Sequence, residues 1–218
     1  MFDSPKEKNR VSYNLLHQEC TTMHSIRSVY QNLVVLLVLV FFFGIIISAS
    51  FFPTTYLWNA MMLSQLGEWN YNGQPNLISP IFFDGMFISM AIIDIYIAYT
   101  LLKTQCQHPI FRISSGFWLI FAFSCFLVVI PQNISIHGIG GFFFYIALGA
   151  LVLSLYDPRL NPLTAFFFIM LLIVLGIFFG LLLSGSSFLF IWQKIYLFTG
   201  FFAILVHPFI MKDIKEGE

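Results

Sequence analysis

Six apolar stretches, at about 33–52, 79–102, 114–131, 138–156, 163–184 and 188–210, constrain this chain more than any other feature. A bilayer core demands roughly 20 apolar residues per helical crossing, and each stretch meets or approaches that length. Charged residues are only 9% of the chain, against roughly 25% in a soluble domain. The 28 phenylalanines exceed what one aqueous core would bury. The breaks between stretches carry charge or proline, as in Lys103 to Arg112, Pro131 to His137 and Asp157-Pro158-Arg159, residues that belong outside hydrocarbon. The expectation is an all-α polytopic membrane protein, a bundle of six transmembrane helices over 33–210. It would follow an N-terminal segment, 1–32, and precede a short tail, 211–218.

Basic residues give the orientation. Lys6, Lys8, Arg10, Arg27, Lys103, Arg112, Arg159, Lys212 and Lys215 all fall on one side of a six-span arrangement, and the opposite loops hold no Lys or Arg. The positive-inside rule makes that side cytoplasmic and predicts that both termini are cytoplasmic. Tyr56, Trp58, Trp69, Tyr71 and Trp192 fall near the outer interface, and Tyr99 and Tyr156 near the inner one, where such rings serve as anchors. The segment from Val11 to Asn32 reads either as an interfacial helix or as a disordered lead. A polar lead of about thirty residues argues against a cleavable signal. Zero formal net charge gives no reason to expect nucleic acid as a partner.

Ionisable side chains within a span are costly unless paired or hydrated, so each is a candidate for function. Asp84 and Lys194 lie about 8–9 Å inside the outer ends of the second and sixth spans, at equal depth and with opposite charge. A pair between them is the natural expectation. His137 opens the fourth span from the same side, Gln193 adjoins Lys194, and Ser64, Gln65 and Glu68 lie on the one long outer loop. This group supports three readings: a structural ion pair, a pocket for a lipid headgroup or other small polar ligand, or catalysis with His137 as base and Asp84 orienting it. Asp94, in the cytoplasmic half, reads as a buried structural carboxyl facing Ser124 or another neighbour.

Other chemistry is sparsely signalled. No metal-ligand spacing occurs, His137 and His207 lie at opposite membrane faces, and no metal or cofactor is expected. Cys20, Cys106 and Cys125 read as free thiols. Asn133-Ile134-Ser135 matches a glycosylation acceptor, too close to the membrane to be used. Gly176, Gly180 and Ser184 repeat at four-residue spacing, which suits close helix packing within the monomer or self-association between copies.

Some of these residues fall into a pattern. Leu63-Ser64-Gln65-Leu66-Gly67, followed by Ile81-Phe82-Phe83-Asp84-Gly85, resembles the S-x-L-G … I-F-N-x-G pattern of a prokaryotic six-span family, domain-of-unknown-function family 998. That family is related to the eukaryotic Frag/DRAM/Sfk group of autophagy modulators and lipid-remodelling factors. His137-Gly138 resembles its histidine in the fourth span, and Trp192-Gln193-Lys194-Ile195-Tyr196 its E-R segment in the last. Asp84 stands where asparagine is commoner, and Gln193-Lys194 replace Glu-Arg. The resemblance implies six spans and a lipid-related context without a reaction. The leading expectation is therefore a protein that binds or organises membrane lipid through an outer-leaflet pocket of Ser64, Gln65, Asp84, His137, Gln193 and Lys194. The alternatives are a lipid-modifying enzyme with His137 as general base and a structural or regulatory scaffold.

Overall fold

The computed structural model describes the backbone of residues 5–58, 60–103, 109–129, 134–156, 162–184 and 188–210. Side chains are described within these segments from residue 28 onward, except at 109–112, 134–138, 163–164, 167 and 210. Six helices account for nearly all of it: α1 Pro5–Ser50, α2 Ser79–Lys103, α3 Pro109–Val129, α4 Ile134–Leu155, α5 Pro162–Ser184 and α6 Leu189–Ile210. Each expected apolar stretch becomes one helix. Proline stands at the first or second position of α1, α2, α3 and α5, where its fixed φ suits a helix start and its missing N–H costs nothing. α1 passes through the expected boundary at 32/33 without a break.

The chain is a membrane-embedded helical bundle. Ser28–Ser50, Ser79–Lys103 and Leu189–Phe209 are long and apolar enough to cross a bilayer, and Ile113–Val129, Ile139–Leu155 and Phe168–Ser184 form shorter apolar stretches. Large apolar side chains such as Phe43, Ile92, Phe123 and Ile173 point outward. In water such a surface would be an aggregation hazard, whereas against lipid tails it is solvated.

Lipid supplies no hydrophobic force between helices, so close packing must hold them together. α2 packs between α1 and α3, α3 packs on α4, and α6 lies against α1, α4 and α5. Aromatic rings fill the axis. Phe41 of α1 stacks on Phe201 of α6 at 3.9 Å, Phe121 of α3 lies 5.1 Å from Phe144 of α4, and Phe87 of α2 meets Phe144 at 5.2 Å. α3 and α4 come closest at Gly140, where a Cβ would sit 2.6 Å from the Leu127 carbonyl oxygen. α5 is peripheral and is keyed by Phe178, which stacks on Tyr196 at 4.7 Å. Gly176 and Gly180 on α5 have nothing within 4 Å of a Cβ position, so the small-residue stripe faces away from the rest of the bundle. Among the described residues, intramolecular packing does not use it.

The segment between α1 and α2 folds back over one end of the bundle. It contains a 3-10 turn, Leu63–Gly67, and a hairpin of β1, Asn70–Tyr71, and β2, Gln74–Pro75. Asn72 and Gly73 carry φ of 51° and 80°. Two successive left-handed residues are what a tight type I′ hairpin requires, and Asn-Gly is its favoured pair. Leu63 and Leu66 are buried beneath the segment, and the Ser79 hydroxyl at the start of α2 donates to the Leu66 carbonyl at 2.8 Å.

Two other polar clusters lie in the bundle. Tyr30 Oη pairs with His207 Nδ1 at 3.1 Å, Gln31 donates to the Pro208 carbonyl at 3.2 Å, and Tyr156 donates to the Ala203 carbonyl at 2.8 Å. These bonds tie α1 and the end of α4 to α6. Deeper in, Asp94 is fully buried; the Cys125 thiol approaches its Oδ2 at 3.9 Å, and Oδ1 has no partner. Asp94 is thus a buried carboxyl, as expected. Its neighbour is Cys125 and not Ser124, whose hydroxyl turns back to the Phe121 carbonyl at 2.6 Å.

Candidate polar site at the capped end of the bundle

α6 presents Gln193 and Lys194 beneath the folded segment, about 6–8 Å from the helix start. Both side chains are buried. The Lys194 ammonium donates to the Met61 carbonyl at 2.5 Å and to the Phe190 carbonyl at 3.1 Å. The Met61 carbonyl also accepts from the Tyr56 hydroxyl at 3.3 Å, so a cation and a phenol converge on one backbone oxygen. The Tyr56 ring lies 5.9 Å from Nζ, within reach of a cation–π contact. Gln193 continues the latch: its Oε1 accepts from Leu63 N–H at 3.2 Å, and its Nε2 donates to the Tyr145 hydroxyl. Tyr196 then donates to the Tyr145 carbonyl at 2.6 Å.

The expected Asp84–Lys194 pair does not form. Lys194 is held by backbone carbonyls, and the half-buried Asp84 carboxylate has no partner among the described residues. α2 and α6 both pack on α1, so equal depth does not bring their side chains together. Carbonyl oxygens solvate an ammonium but do not neutralise it, and the third Lys194 N–H has no acceptor among the described residues. The positive charge is therefore uncompensated within this part of the structure.

The remaining expected site residues divide. Gln65 is committed to its own turn, accepting from Met62 N–H at 2.9 Å, while the Ser64 hydroxyl is half-buried and unbonded. The His137 side chain lies outside the described residues, as do Asn133, Cys20 and Cys106. Glu68 is half-buried where the segment meets the bundle, and loss of hydration raises its carboxyl above the ordinary range; burial likewise raises the Tyr56 phenol. Among the described residues no group of three His, Cys, Asp or Glu side chains could hold a metal.

The open space lies to one side of this latch. A groove of about 530 Å³ lies between the last turns of α1 and residues 52–58, lined by the apolar Ile46, Ala49 and Phe52 and by the hydroxyl-bearing Ser50, Thr54, Thr55 and Tyr56. Trp58 stands at its rim, half-exposed. The Ser50 hydroxyl bonds back to the Ile46 carbonyl at 2.7 Å, whereas those of Thr54 and Thr55 have no partner among the described residues. Tyr56 is shared by groove and latch. Sequence reasoning placed Tyr56 and Tyr156 among the interfacial anchors, yet both are buried and hydrogen-bonded to backbone carbonyls. Trp58, Trp69 and Tyr99 are exposed, as anchors should be. Thr54 and Thr55 carried no signal, because a threonine in a loop is unremarkable until the fold sets it on a wall. Compared with known proteins, the chain matches no family model, no curated protein and no solved structure.

Proposed function

We propose that this protein crosses the membrane six times with both termini in the cytoplasm, and that it binds or organises lipid at the outer-leaflet end of the bundle. The one-sided distribution of the basic residues supports the orientation. The resemblance to the six-span family, a proposed kinship, is consistent with a lipid-related role. The groove beside Tyr56 carries the reading. It sits where the apolar span Ser28–Ser50 ends, and its lining mixes apolar and hydroxyl-bearing side chains. A lipid combines the same two characters in its acyl chain and its headgroup.

In this reading Gln193 and Lys194 fix the loop that builds the groove, with Ser64 and Gln65 in the same loop. Asp84 stands on α2, apart from the latch. The test is retention of lipid by protein purified from mixed-lipid nanodiscs and analysed by native mass spectrometry. Thr55 is exposed on the groove wall, so Thr55→Trp fills the space without disturbing the core. Wild type should retain one or more lipids and Thr55→Trp should lose them. Equal retention by both proteins would refute the site. The α5 stripe of Gly176, Gly180 and Ser184 is the face through which a second copy would associate.

A further inference from the structure

We infer that the groove selects an anionic phospholipid, whose phosphate is drawn to the uncompensated charge of Lys194. This inference rests on the lipid reading above and adds the chemical class of the ligand. Three observations converge. Lys194 is buried, and among the described residues its only partners are neutral carbonyl oxygens, with one N–H unused. Tyr56 is common to both features: its ring centroid lies 5.9 Å from Nζ, and the residue lines the groove. The groove lining adds the unbonded hydroxyls of Thr54 and Thr55, donors suited to phosphate oxygens.

A buried charge is screened less than one in water, so the Lys194 ammonium acts on groups beyond the Tyr56 ring. A zwitterionic headgroup brings its own cation and gains less. Asp84, on the neighbouring α2, makes no ion pair with Lys194, whose partners are the Met61 and Phe190 carbonyls. The apolar lining of Ile46, Ala49 and Phe52 explains why the anion is a lipid's and not free in solution.

The experiment uses the full chain in nanodiscs containing equal amounts of phosphatidylglycerol and phosphatidylcholine, matched in acyl chains, with bound lipid counted by native mass spectrometry. Wild type should favour phosphatidylglycerol by about tenfold, the scale of one partly screened charge interaction. Lys194→Gln removes the charge, leaves an amide donor on a shorter stem, and should bring the ratio close to one in the lipid that remains bound. The ratio is internal to each protein, so modest destabilisation does not distort it. Thr54 and Thr55 have no structural bonds to lose, so Thr54→Val with Thr55→Val tests the hydroxyl lining in a folded protein and should lower phosphatidylglycerol retention several-fold. Equal retention of the two lipids by wild type would overturn the anion inference and leave the lipid reading standing. Retention of neither lipid would overturn both. An unchanged ratio in Lys194→Gln, unchanged retention in the double valine variant, or displacement of phosphatidylglycerol by millimolar inorganic phosphate would each overturn the inference.

Discussion

The coupling between Lys194 and Asp84 gives the sharpest check on the geometry. Lys194→Met keeps the length and apolar character of the stem but removes the donor to the Met61 carbonyl at 2.5 Å. A hydrogen bond to a charged group contributes about 1.5–3 kcal/mol. The Phe190 carbonyl, four residues earlier in α6, keeps its ordinary helical partner, the Lys194 backbone N–H, so its loss adds little. Removing a buried charge also relieves a desolvation cost, which offsets part of the loss. The net expectation is destabilisation by about 1–2 kcal/mol, with faster hydrogen exchange concentrated in residues 57–67. Asp84 is half-buried with no partner among the described residues, so Asp84→Asn removes a partly desolvated charge and should leave stability unchanged or raise it by up to about 1 kcal/mol. Two sites without shared partners should add within about 0.5 kcal/mol in the double mutant. A buried ion pair would behave differently, each single change costing about 3–5 kcal/mol and the second rescuing the first. Reversible unfolding of the four proteins in mixed micelles measures the cycle. A coupling energy above about 1 kcal/mol would refute the carbonyl-held lysine described above.

Two further predictions concern packing and pH. Gly140→Ala drives a Cβ against the α3 backbone and should cost about 1–3 kcal/mol, while the adjacent Gly141→Ala, with nothing within 4 Å, should gain up to about 1 kcal/mol from helix propensity. Thermal unfolding in detergent separates the two, and equal shifts would contradict the α3–α4 approach; Gly180→Ala should behave like Gly141→Ala in a monomer, and a loss of stability there would reveal a second copy against the stripe. Glu68 has a folded-state pKa raised above its ordinary value of 4.5, so the folded protein holds its proton more tightly than the unfolded chain. Stability should fall as pH rises from about 4.5 through the folded value, and Glu68→Gln should remove that slope; an identical pH profile for wild type and Glu68→Gln would sink the assignment.

The helices were legible in the sequence because a bilayer imposes a length and a composition on every crossing, and both can be read along one dimension. The six stretches coincide with the six helices, and the polar break at Lys103 with the end of α2. The position of Lys194 more than one turn inside α6 was legible for the same reason, since distance along a helix follows from residue number. Azimuth does not. Whether Asp84 meets Lys194 depends on which helices are neighbours, and residue counting cannot show that α1 lies against both α2 and α6. The same holds for Gly176 and Gly180, whose spacing suits a contact but whose direction, away from the bundle, is fixed only by the packing of α5 through Phe178. The loop held the largest surprise. Its backbone carbonyl at Met61 became the main acceptor for a buried lysine, and every residue has such a carbonyl, so only the tertiary fold could say which one arrives.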